Sequence, residues 1–368
     1  MTQTMGRQPA RAANSPGAID PSEPAQTVTA GRLLELAEST LAAAGVRPGH
    51  AAAVARALVE SNLAGHDSHG VRRLRPYLDF IAAGQVDPAA EPVIAREDGA
   101  TATVDGARGL GQPAALLATE AASRIAREHG VAAVAVSRCA HVGRLGDYTG
   151  QLAADGLAGV ALCNADPTVA PLGGRERRLG TNPLSIAVPR GDGEPAIVLD
   201  WATASLAEGK LAMAMARGES VPDGIVVDAD GRASTDPASF YEGGAILPFG
   251  AHKGYGLSVV IELLGGLLSG AGVSSLPGYD ESNGTLIIAI DIGRFTSPER
   301  FREQAEAFCT LLARTPRAQD SDEVLVPGEL ETRTKRERER TGIPIPGALW
   351  RELLELQAGG RDVDSSNS

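Results

Sequence analysis

Two histidines lie three residues apart in the run His66-Asp67-Ser68-His69-Gly70, with a carboxylate and a hydroxyl between them. Histidine is the side chain whose ordinary pKa, ~6.5, lies nearest to neutral pH, so a histidine here suits a proton donor or acceptor. The spacing fits a second interpretation equally well. In that one, the run is a polar helix end whose side chains only satisfy nearby backbone groups.

A third histidine, His141, raises the alternative of a zinc site built from His66, His69 and His141. Zinc sites usually combine His with Cys, or carry two His in an HExxH helix. The chain has no CxxC pair and no HExxH motif, so the sequence favours acid-base chemistry without a metal.

Three other segments suit an anionic ligand. Arg72–Arg75 holds three arginines, and a guanidinium beside a proton-donating histidine would hold a carboxylate. His252–Gly256 precedes a helical pattern whose N-terminus suits a phosphate, and Gly180–Pro183 is a turn able to present a hydroxyl and an amide. The plainer alternatives are a solvated arginine face and glycines that only allow close packing. A third makes Lys253 the Schiff-base nucleophile of a lyase.

Helical patterns surround the histidine run. Apolar spacing predicts helices over 29–45, from 48 to about 64 and from about 70 to 84, so the run lies at a junction between helices. Such a junction can present side chains to a cleft without disturbing a core.

From about residue 101 the pattern changes to short apolar strands that alternate with helices, which predicts an α/β fold. The expected strands are 101–104, 131–137, 157–164, 184–188, 196–200, 285–292 and 323–326. The expected helices are 112–129, one from about 203, 254–268, one opened by Ser297-Pro298, 329–340 and 349–356. We expect the last helix to pack beside the N-terminal ones.

The usual phosphate-binding fingerprints are absent from the sequence. No expected strand is followed by G-x-G-x-x-G, and there is no G-x-x-x-x-G-K-[ST] loop. The run His141–Gly146 is glycine-rich and follows a strand, but its spacing differs from both. Spacing alone therefore indicates an anion-binding α/β enzyme and nothing finer.

Composition excludes several classes of protein. The 368 residues carry 34 Lys and Arg against 46 Asp and Glu, a net charge of −12, which argues against binding nucleic acid or an anionic membrane by bulk charge. No apolar run reaches the ~18 residues that a membrane span needs. Cys139, Cys163 and Cys309 are too scattered for a disulfide framework, which favours a reducing, cytoplasmic compartment.

Six motifs occur in an order that resembles one known family. They are Asn62–Gly70, His141–Gly146, Gly180–Pro183, Leu199–Thr203, His252–Tyr255 and Val326–Glu329. Together they resemble the type-2 malate/L-lactate dehydrogenase family, over about 29–346. Gly65–Gly70, Gly143–Leu145 and Arg336–Arg338 are most similar to its hydroxycarboxylate dehydrogenase branch.

The resemblance implies an oxidoreductase that uses NAD or NADP to interconvert 2-oxo and 2-hydroxy acids, in a homodimer. It also implies a nicotinamide-binding sheet unrelated to the Rossmann fold, which would explain the missing fingerprint. The implied units are a disordered leader (1–28), a helical N-terminal part (29–100), the cofactor domain (101–296), a helical C-terminal part packed on the N-terminal one (297–358) and a disordered tail (359–368). We expect no metal, no nucleic acid and no membrane partner.

The same resemblance implies roles for individual residues. His69 is the implied proton donor, as an imidazolium, with Ser68 beside it in a relay and His141 as an alternative acid or base. Arg73 would bind the substrate carboxylate and Thr181 would contact the substrate. Cofactor contacts are implied for Gly143, Arg144, Leu145, Val198, Leu199, Asp200, Trp201, Ala202, His252, Lys253, Gly254, Asn283, Gly328, Glu329, Leu330 and Glu331.

One departure bears on the substrate. The branch of the family that reduces cyclic imines (piperideine- or pyrroline-2-carboxylate) has a catalytic Asp after an apolar-Arg-Gly step, where this chain has Ala207-Glu208-Gly209-Lys210. A lysine cannot act as that carboxylate, which favours oxo and hydroxy acids. Imine reduction, the Lys253 lyase and a non-catalytic ligand-binding protein of the same fold stay open as alternatives.

Overall fold

The structure is a computed structural model that describes residues 25–279 and 281–365. Its α-helices are Ala30–Ala43 (α1), Pro48–Leu63 (α2), Leu74–Ala82 (α3), Gly111–His129 (α4), Leu145–Ala154 (α5), Glu208–Arg217 (α6), Ala238–Tyr241 (α7), His252–Ile261 (α8), Pro298–Ala313 (α9), Glu329–Thr341 (α10) and Gly347–Ser365 (α11). Its strands are Gln26–Val28 (β1), Val93–Asp98 (β2), Thr101–Gly109 (β3), Val131–Cys139 (β4), Leu157–Cys163 (β5), Leu184–Val188 (β6), Ile197–Trp201 (β7), Val226–Val227 (β8), Ala233–Ser234 (β9), Ala245–Ile246 (β10), Thr285–Asp291 (β11) and Ile343–Ile345 (β12). Of the described helices, none is long and apolar enough to cross a membrane.

A seven-stranded mixed sheet forms the centre of the molecule, in the order β2-β3-β4-β11-β5-β6-β7. Strands β3 and β4 run parallel, and the five other neighbouring pairs run antiparallel. Dinucleotide-binding sheets of the Rossmann type are mostly parallel. The α/β fold is therefore confirmed, and its sheet is not of the Rossmann type.

Small side chains let helices lie close to this sheet. Helix α4 buries Ala114, Ala115, Ala118 and Ala122 against the central strands. Alanine adds little bulk between a helix and a sheet, and it loses no side-chain entropy on burial. The low aromatic content of the sequence therefore reflects a core in which helix and sheet layers pack closely.

A second core joins the two ends of the chain. Helices α1, α2, α3 and α11 pack together with β1 and β12, and Leu33, Leu58 and Leu353 are fully buried there. Thr29 caps α1 by accepting a hydrogen bond from the Arg32 backbone N–H. Helix α11 lies against α1, where Arg32 also donates to Gln357 at 2.9 Å.

Parts of both ends that the sequence predicts to be disordered form secondary structure. The last three residues of the leader form β1, which pairs antiparallel with β12. Helix α11 continues to Ser365, well into the predicted tail. Residues 1–24 and 366–368 lie outside the described residues.

Three interior elements also differ from the prediction. Helix α6 begins at Glu208 instead of about 203, because the backbone N–H and the hydroxyl of Thr203 both bind the Thr181 carbonyl, at 2.9 and 3.1 Å. Segment 323–326 is not a strand, since the Val326 N–H is bound by the side chain of Glu329 at 3.2 Å. Helix α9 lies against the loop after β6 rather than the N-terminal helices, through Arg190–Glu306 at 2.7 Å.

The helix expected over 254–268 changes its winding halfway. It is α-helical to Ile261, and Glu262–Leu267 form a π-helical turn. Two glycines in this turn touch backbone directly, because a Cβ on Gly265 would lie 2.9 Å from the Gly284 oxygen and one on Gly266 would lie 2.3 Å from the Gly272 oxygen. Such turns interrupt helices mostly where function needs them, and this one presents a buried glutamate to the candidate site.

Candidate functional site

Two of the sequence-predicted histidines meet between the helical part and the sheet. The ring centroids of His69 and His141 are 5.5 Å apart, with planes tilted by 31°. His69 ends a short 3₁₀ turn between α2 and α3, and His141 follows β4. Residues from two different cores therefore build one site.

A buried asparagine fixes the backbone of the histidine run. Asn62 accepts a hydrogen bond from the Val71 N–H at 2.9 Å and donates to Asp67 at 2.7 Å. Arg338 of α10 also binds both oxygens of Asp67, at 2.7 and 3.1 Å. Gly70 passes so close that a Cβ would lie 2.2 Å from the Asn62 amide oxygen. Asp67 therefore has a structural partner on each side.

His66 is turned away from the other two histidines. Its Nε2 lies 3.4 Å from a carboxylate oxygen of Glu331 on α10. No cluster of three or more His, Cys, Asp or Glu side chains that could hold a metal occurs among residues 25–279 and 281–365. The zinc site of His66, His69 and His141 is therefore not formed.

Ser68 and Arg73 flank His69. The Ser68 hydroxyl lies 3.0 Å from His69 Nδ1, and the Arg73 Nε donates to the Ser68 carbonyl at 2.9 Å. Helix α6 covers this corner, since a Cβ on Gly209 would lie 3.0 Å from the Ser68 Cβ. The preceding Glu208 accepts a hydrogen bond from the Tyr241 hydroxyl at 2.7 Å.

Both site histidines are uncharged at neutral pH. Burial, reinforced by the positive charge of Arg73, lowers the pKa of His69 to about 3. The pKa of His141 is also held well below its usual value, by burial first and then by Arg73 and His69. This environment disfavours the imidazolium at His69 that the resemblance implied.

The segments expected to contact a cofactor gather around strand β7. Val198 in β7 donates its N–H to the Pro327 carbonyl at 3.3 Å, which brings Gly328–Glu331 alongside. The rings of Trp201 and Phe249 are 5.9 Å apart, edge to face, and Gly254 donates to the Phe249 carbonyl at 3.0 Å. Segments that are far apart in the chain thus border one face.

Two further segments complete this border. Gly146, just after Gly143–Leu145, donates its N–H to Asp200 at 2.8 Å. Asn283 accepts from the Val142 N–H at 3.2 Å and donates to the Asn164 carbonyl at 3.1 Å. All the segments singled out for cofactor contact are therefore neighbours in space.

The two helix N-termini in this region differ in whether a protein carboxylate already binds them. Burial raises the pKa of Asp200 to about 6, although Arg144 and the Gly146 N–H favour its charged form. The Asp200 carboxylate already occupies the N-terminus of α5. By contrast, His252 and Lys253 stand exposed at the N-terminus of α8. An anion would therefore meet less competition at α8 than at α5.

The exposure of Lys253 argues against the lyase alternative. Schiff-base lysines are activated by a desolvated pocket or an adjacent cation, which lowers the pKa of the amine. Lys253 is in solvent at a helix end. It suits an electrostatic contact better than nucleophilic catalysis.

Sequence reasoning missed a buried carboxylate, Glu262, behind the Gly180–Pro183 turn. Its side chain accepts from the Gly180 N–H (3.3 Å), from the amides of Asn182 (3.0 Å) and Asn164 (3.2 Å), and from the N–H (3.0 Å) and hydroxyl (2.7 Å) of Ser274. It is the single charged residue in the apolar run 257–268, and that isolation was the available signal. Glu262 therefore binds both neighbours of Thr181, Gly180 through its backbone and Asn182 through its side chain.

Tyr77 and Gln112 were missed as well. Tyr77 lies in α3 and Gln112 is the second residue of α4, and neither belongs to a motif that the sequence singled out. In the structure both are buried beside His141.

The comparisons with known proteins agree with this geometry. A family model described as malate/L-lactate dehydrogenase matches residues 28–354. The chain belongs to the malate/L-lactate dehydrogenase family.

Individual relatives of this chain within the malate/L-lactate dehydrogenase family are similar over most of their length. Hydroxycarboxylate dehydrogenase B of Escherichia coli K12 is 36% identical over 311 residues, 82% of this chain and 85% of that protein. The solved malate dehydrogenase of Entamoeba histolytica has a TM-score of 0.88 at 28% identity, covering 92% of this chain and 98% of that one. The solved Δ1-piperideine-2-carboxylate reductase of Pseudomonas syringae has a TM-score of 0.81 at 31% identity, covering 90% and 99%. The chain is thus a dehydrogenase-family oxidoreductase of hydroxy acids, as the resemblance implied.

The hydrogen bonds of Glu262 predict a large effect of Glu262→Gln on stability. The new amide would turn N–H groups toward the donors of Gly180, Asn182 and Ser274, which loses bonds to a charge and leaves buried groups unpaired. We expect the free energy of unfolding to fall by about 2–4 kcal/mol, measured by urea unfolding. Glu303→Gln on the exposed face of α9 is the matched control, with a change below ~0.5 kcal/mol. Equal urea midpoints for the two variants would contradict this view of Glu262.

Proposed function

We propose that this chain is a NAD- or NADP-dependent oxidoreductase that interconverts 2-oxo acids and 2-hydroxy acids. The observation that carries the proposal is the convergence of two neutral imidazoles and Arg73 at one corner, next to the face where the segments around β7 meet. An acid-base pair, a carboxylate ligand and a broad cofactor surface are what this reaction needs.

The residues around β7 fit a dinucleotide cofactor. Trp201 and Leu330 leave 41% and 60% of their surface exposed there, which suits contact with flat rings. Lys253 and the N-terminus of α8 suit the pyrophosphate. When bound, the nicotinamide would supply or accept a hydride at the substrate C2.

Arg73 would orient the substrate. Its Nε is held by the Ser68 carbonyl, and its terminal nitrogens make no hydrogen bond to any described residue. A planar guanidinium with free terminal donors binds a carboxylate through two parallel bonds. Thr181, whose backbone is fixed through Thr203 and Asn182, would contact the same substrate.

His69 would move the proton. In the oxidising direction a neutral imidazole accepts the hydroxyl proton as C2 loses its hydride. In the reducing direction His69 must first be protonated, and the substrate carboxylate on Arg73 would offset part of the repulsion that lowers its pKa. His141, 5.5 Å away between ring centroids, would lie near the same oxygen.

Replacing His69 should remove most of the activity. We expect His69→Ala to lower kcat for 2-hydroxy acid oxidation by roughly 10²–10⁴-fold, the usual worth of general acid-base help. His129→Ala, at the end of α4, is the control and should keep the wild-type rate. Full activity in His69→Ala would point instead to a ligand-binding role for this fold, or to catalysis by other groups.

The low pKa of His69 makes a pH prediction with a definite sign. A base that is neutral above a pKa of about 3 stays competent throughout the neutral range, and its activity is lost only as the pH falls toward 3. We therefore expect kcat/KM for 2-hydroxy acid oxidation to lack a fall near pH 6.5 as the pH is lowered from 8 to 5. A half-maximal rate near pH 6.5, the value of an ordinary imidazole, would contradict the proposal.

We also propose a homodimer that covers the exposed apolar side of α8 and its π-helical turn. Val260, Leu263, Leu267 and Leu268 are 46%, 46%, 59% and 60% exposed on this one helix. A contiguous apolar patch of this kind is costly in water and typical of an interface. Because α8 starts beside β7, a second copy seated here would border the site.

The dimer proposal predicts a mass of two chains by light scattering. Leu267→Glu should yield monomers, because it places a charge in the covered patch. Leu311→Glu on α9, where Leu311 is 66% exposed, is the matched control and should stay dimeric. A monomeric wild-type protein would refute this part of the proposal.

The substrate is best sought with both cofactors against several acids. Pyruvate, oxaloacetate, phenylpyruvate and Δ1-piperideine-2-carboxylate separate oxo-acid from imine reduction. Lys210, which is exposed on α6, has an amine where imine reduction would need a carboxylate. The nearby carboxylate of Glu208 is already bound to the Tyr241 hydroxyl. We infer the oxo acids, and turnover of the imine alone would favour the alternative.

The three cysteines support an expectation about the compartment. Cys139, Cys163 and Cys309 are all buried, and none forms a disulfide among the described residues. Cysteines that stay reduced are typical of reducing compartments, so we infer the cytoplasm.

A further inference from the structure

A short chain of hydrogen bonds ends on His141. Gln112, fully buried at the start of α4, donates from its amide nitrogen to the Tyr77 hydroxyl at 2.8 Å. The same hydroxyl lies 2.8 Å from His141 Nδ1. Neither Tyr77 nor Gln112 is needed by the roles assigned above.

The amide orientation of Gln112 sets the direction of this chain. As it stands, the amide oxygen is the atom left without a hydrogen-bond partner among the described residues. The opposite orientation would take the amide nitrogen, with its two N–H donors, away from Tyr77. Buried N–H groups without a partner are rarer in proteins than carbonyl oxygens with spare acceptor capacity. The orientation with the nitrogen on Tyr77 is therefore the favoured one.

The donor direction of the Gln112 hydrogen bond then determines how Tyr77 binds His141. The phenol oxygen accepts from Gln112, so the phenol proton is left to be donated to His141 Nδ1. Burial raises the pKa of Tyr77 to about 12, so the phenol keeps this proton at neutral pH. A nitrogen that accepts a hydrogen bond carries no proton itself.

We infer that Gln112 and Tyr77 are positioning residues that hold His141 in the tautomer with its proton on Nε2. His141 then presents a neutral N–H to the substrate oxygen, and His69 alone exchanges the proton. This inference rests on the proposed function for its chemistry, although the tautomer can be observed without any reaction. It also assigns different tasks to two imidazoles that the sequence left interchangeable.

The proton balance of the step is simple. During oxidation the C2 hydrogen leaves with its electron pair to the nicotinamide, and the hydroxyl proton passes to His69. The Nδ1 of His69 faces the Ser68 hydroxyl at 3.0 Å, which leaves Nε2 to take this proton. The N–H of His141 stays in place and hydrogen-bonds the oxygen before and after transfer.

The tautomer is testable by ¹⁵N NMR on the full-length protein with labelled histidine. We expect His141, assigned by its loss in His141→Gln, to show a protonated Nε2 and an unprotonated Nδ1. In Tyr77→Phe this preference should weaken or reverse. A proton on Nδ1 of His141 in the wild-type protein would overturn the inference.

The kinetics of Gln112 variants distinguish control of the His141 tautomer from a purely structural role. In Gln112→Glu the introduced carboxylate accepts a hydrogen bond from the Tyr77 hydroxyl. The Tyr77 oxygen would then have to accept a hydrogen bond from His141 Nδ1, and the His141 tautomer would reverse. In Gln112→Met the phenol keeps its proton for His141. We expect kcat to fall by at least ~10-fold in Gln112→Glu and to stay within about threefold in Gln112→Met, given what one transition-state donor is worth.

The loss in Gln112→Glu should also deepen as the pH rises and the introduced carboxyl ionises. Tyr77→Phe should lower kcat by roughly 30-fold and leave KM for the cofactor unchanged. Tyr148→Phe, another buried phenol whose hydroxyl binds the Val142 carbonyl, is the control for loss of a buried hydroxyl. Equal losses in Gln112→Glu and Gln112→Met would overturn the inference.

Failure of the inference and failure of the proposed function are distinguishable. A wild-type protein that oxidises no 2-hydroxy acid defeats the proposed function, whatever the NMR result. A fully active wild-type protein with Nδ1-protonated His141 defeats only the inference.

Discussion

The site depends on one constraint: two imidazoles and a guanidinium share a small, half-buried corner. Loss of solvent and the charge of Arg73 both lower the pKa values of His69 and His141, so the corner favours neutral imidazoles. A neutral imidazole offers one donor and one acceptor. Which nitrogen does which then depends on its neighbours, here Ser68 for His69 and Tyr77 for His141.

The rest of the fold serves to bring these groups together. His69 comes from the helical core and His141 from the end of a central strand, so neither core positions the pair alone. The C-terminal part contributes as well, because Arg338 and Glu331 of α10 bind Asp67 and His66. Glu262 acts similarly on the opposite side, where it holds the turn that carries Thr181.

Local pattern was enough for the helices and strands with strong periodicity. Strand β6 lies where it was expected, and α1 and α2 begin within one residue of their predicted starts. The errors arose where distant contacts decide the local structure. Residues 203–207 are not helical because Thr203 binds the Thr181 carbonyl and Ser205 binds the Leu247 carbonyl. Segment 323–326 is irregular because the Val326 N–H is bound by Glu329.

The same limit applied to the site. Motif order singled out a set of segments, and the structure places them side by side. Spacing showed neither that His66 turns to Glu331 nor that Tyr77 touches His141, since these pairs depend on how the helices pack. Nor did spacing show that His69 is neutral, because its pKa is set by burial and by Arg73 rather than by its neighbours in sequence alone.

A direct titration tests whether the two site imidazoles are neutral. Imidazole NMR signals of the six histidines, followed from pH 8 to pH 5 and assigned with His69→Gln and His141→Gln, report each protonation state separately. We expect His69 and His141 to show no protonation over this range. A midpoint near 6.5 for either would contradict it.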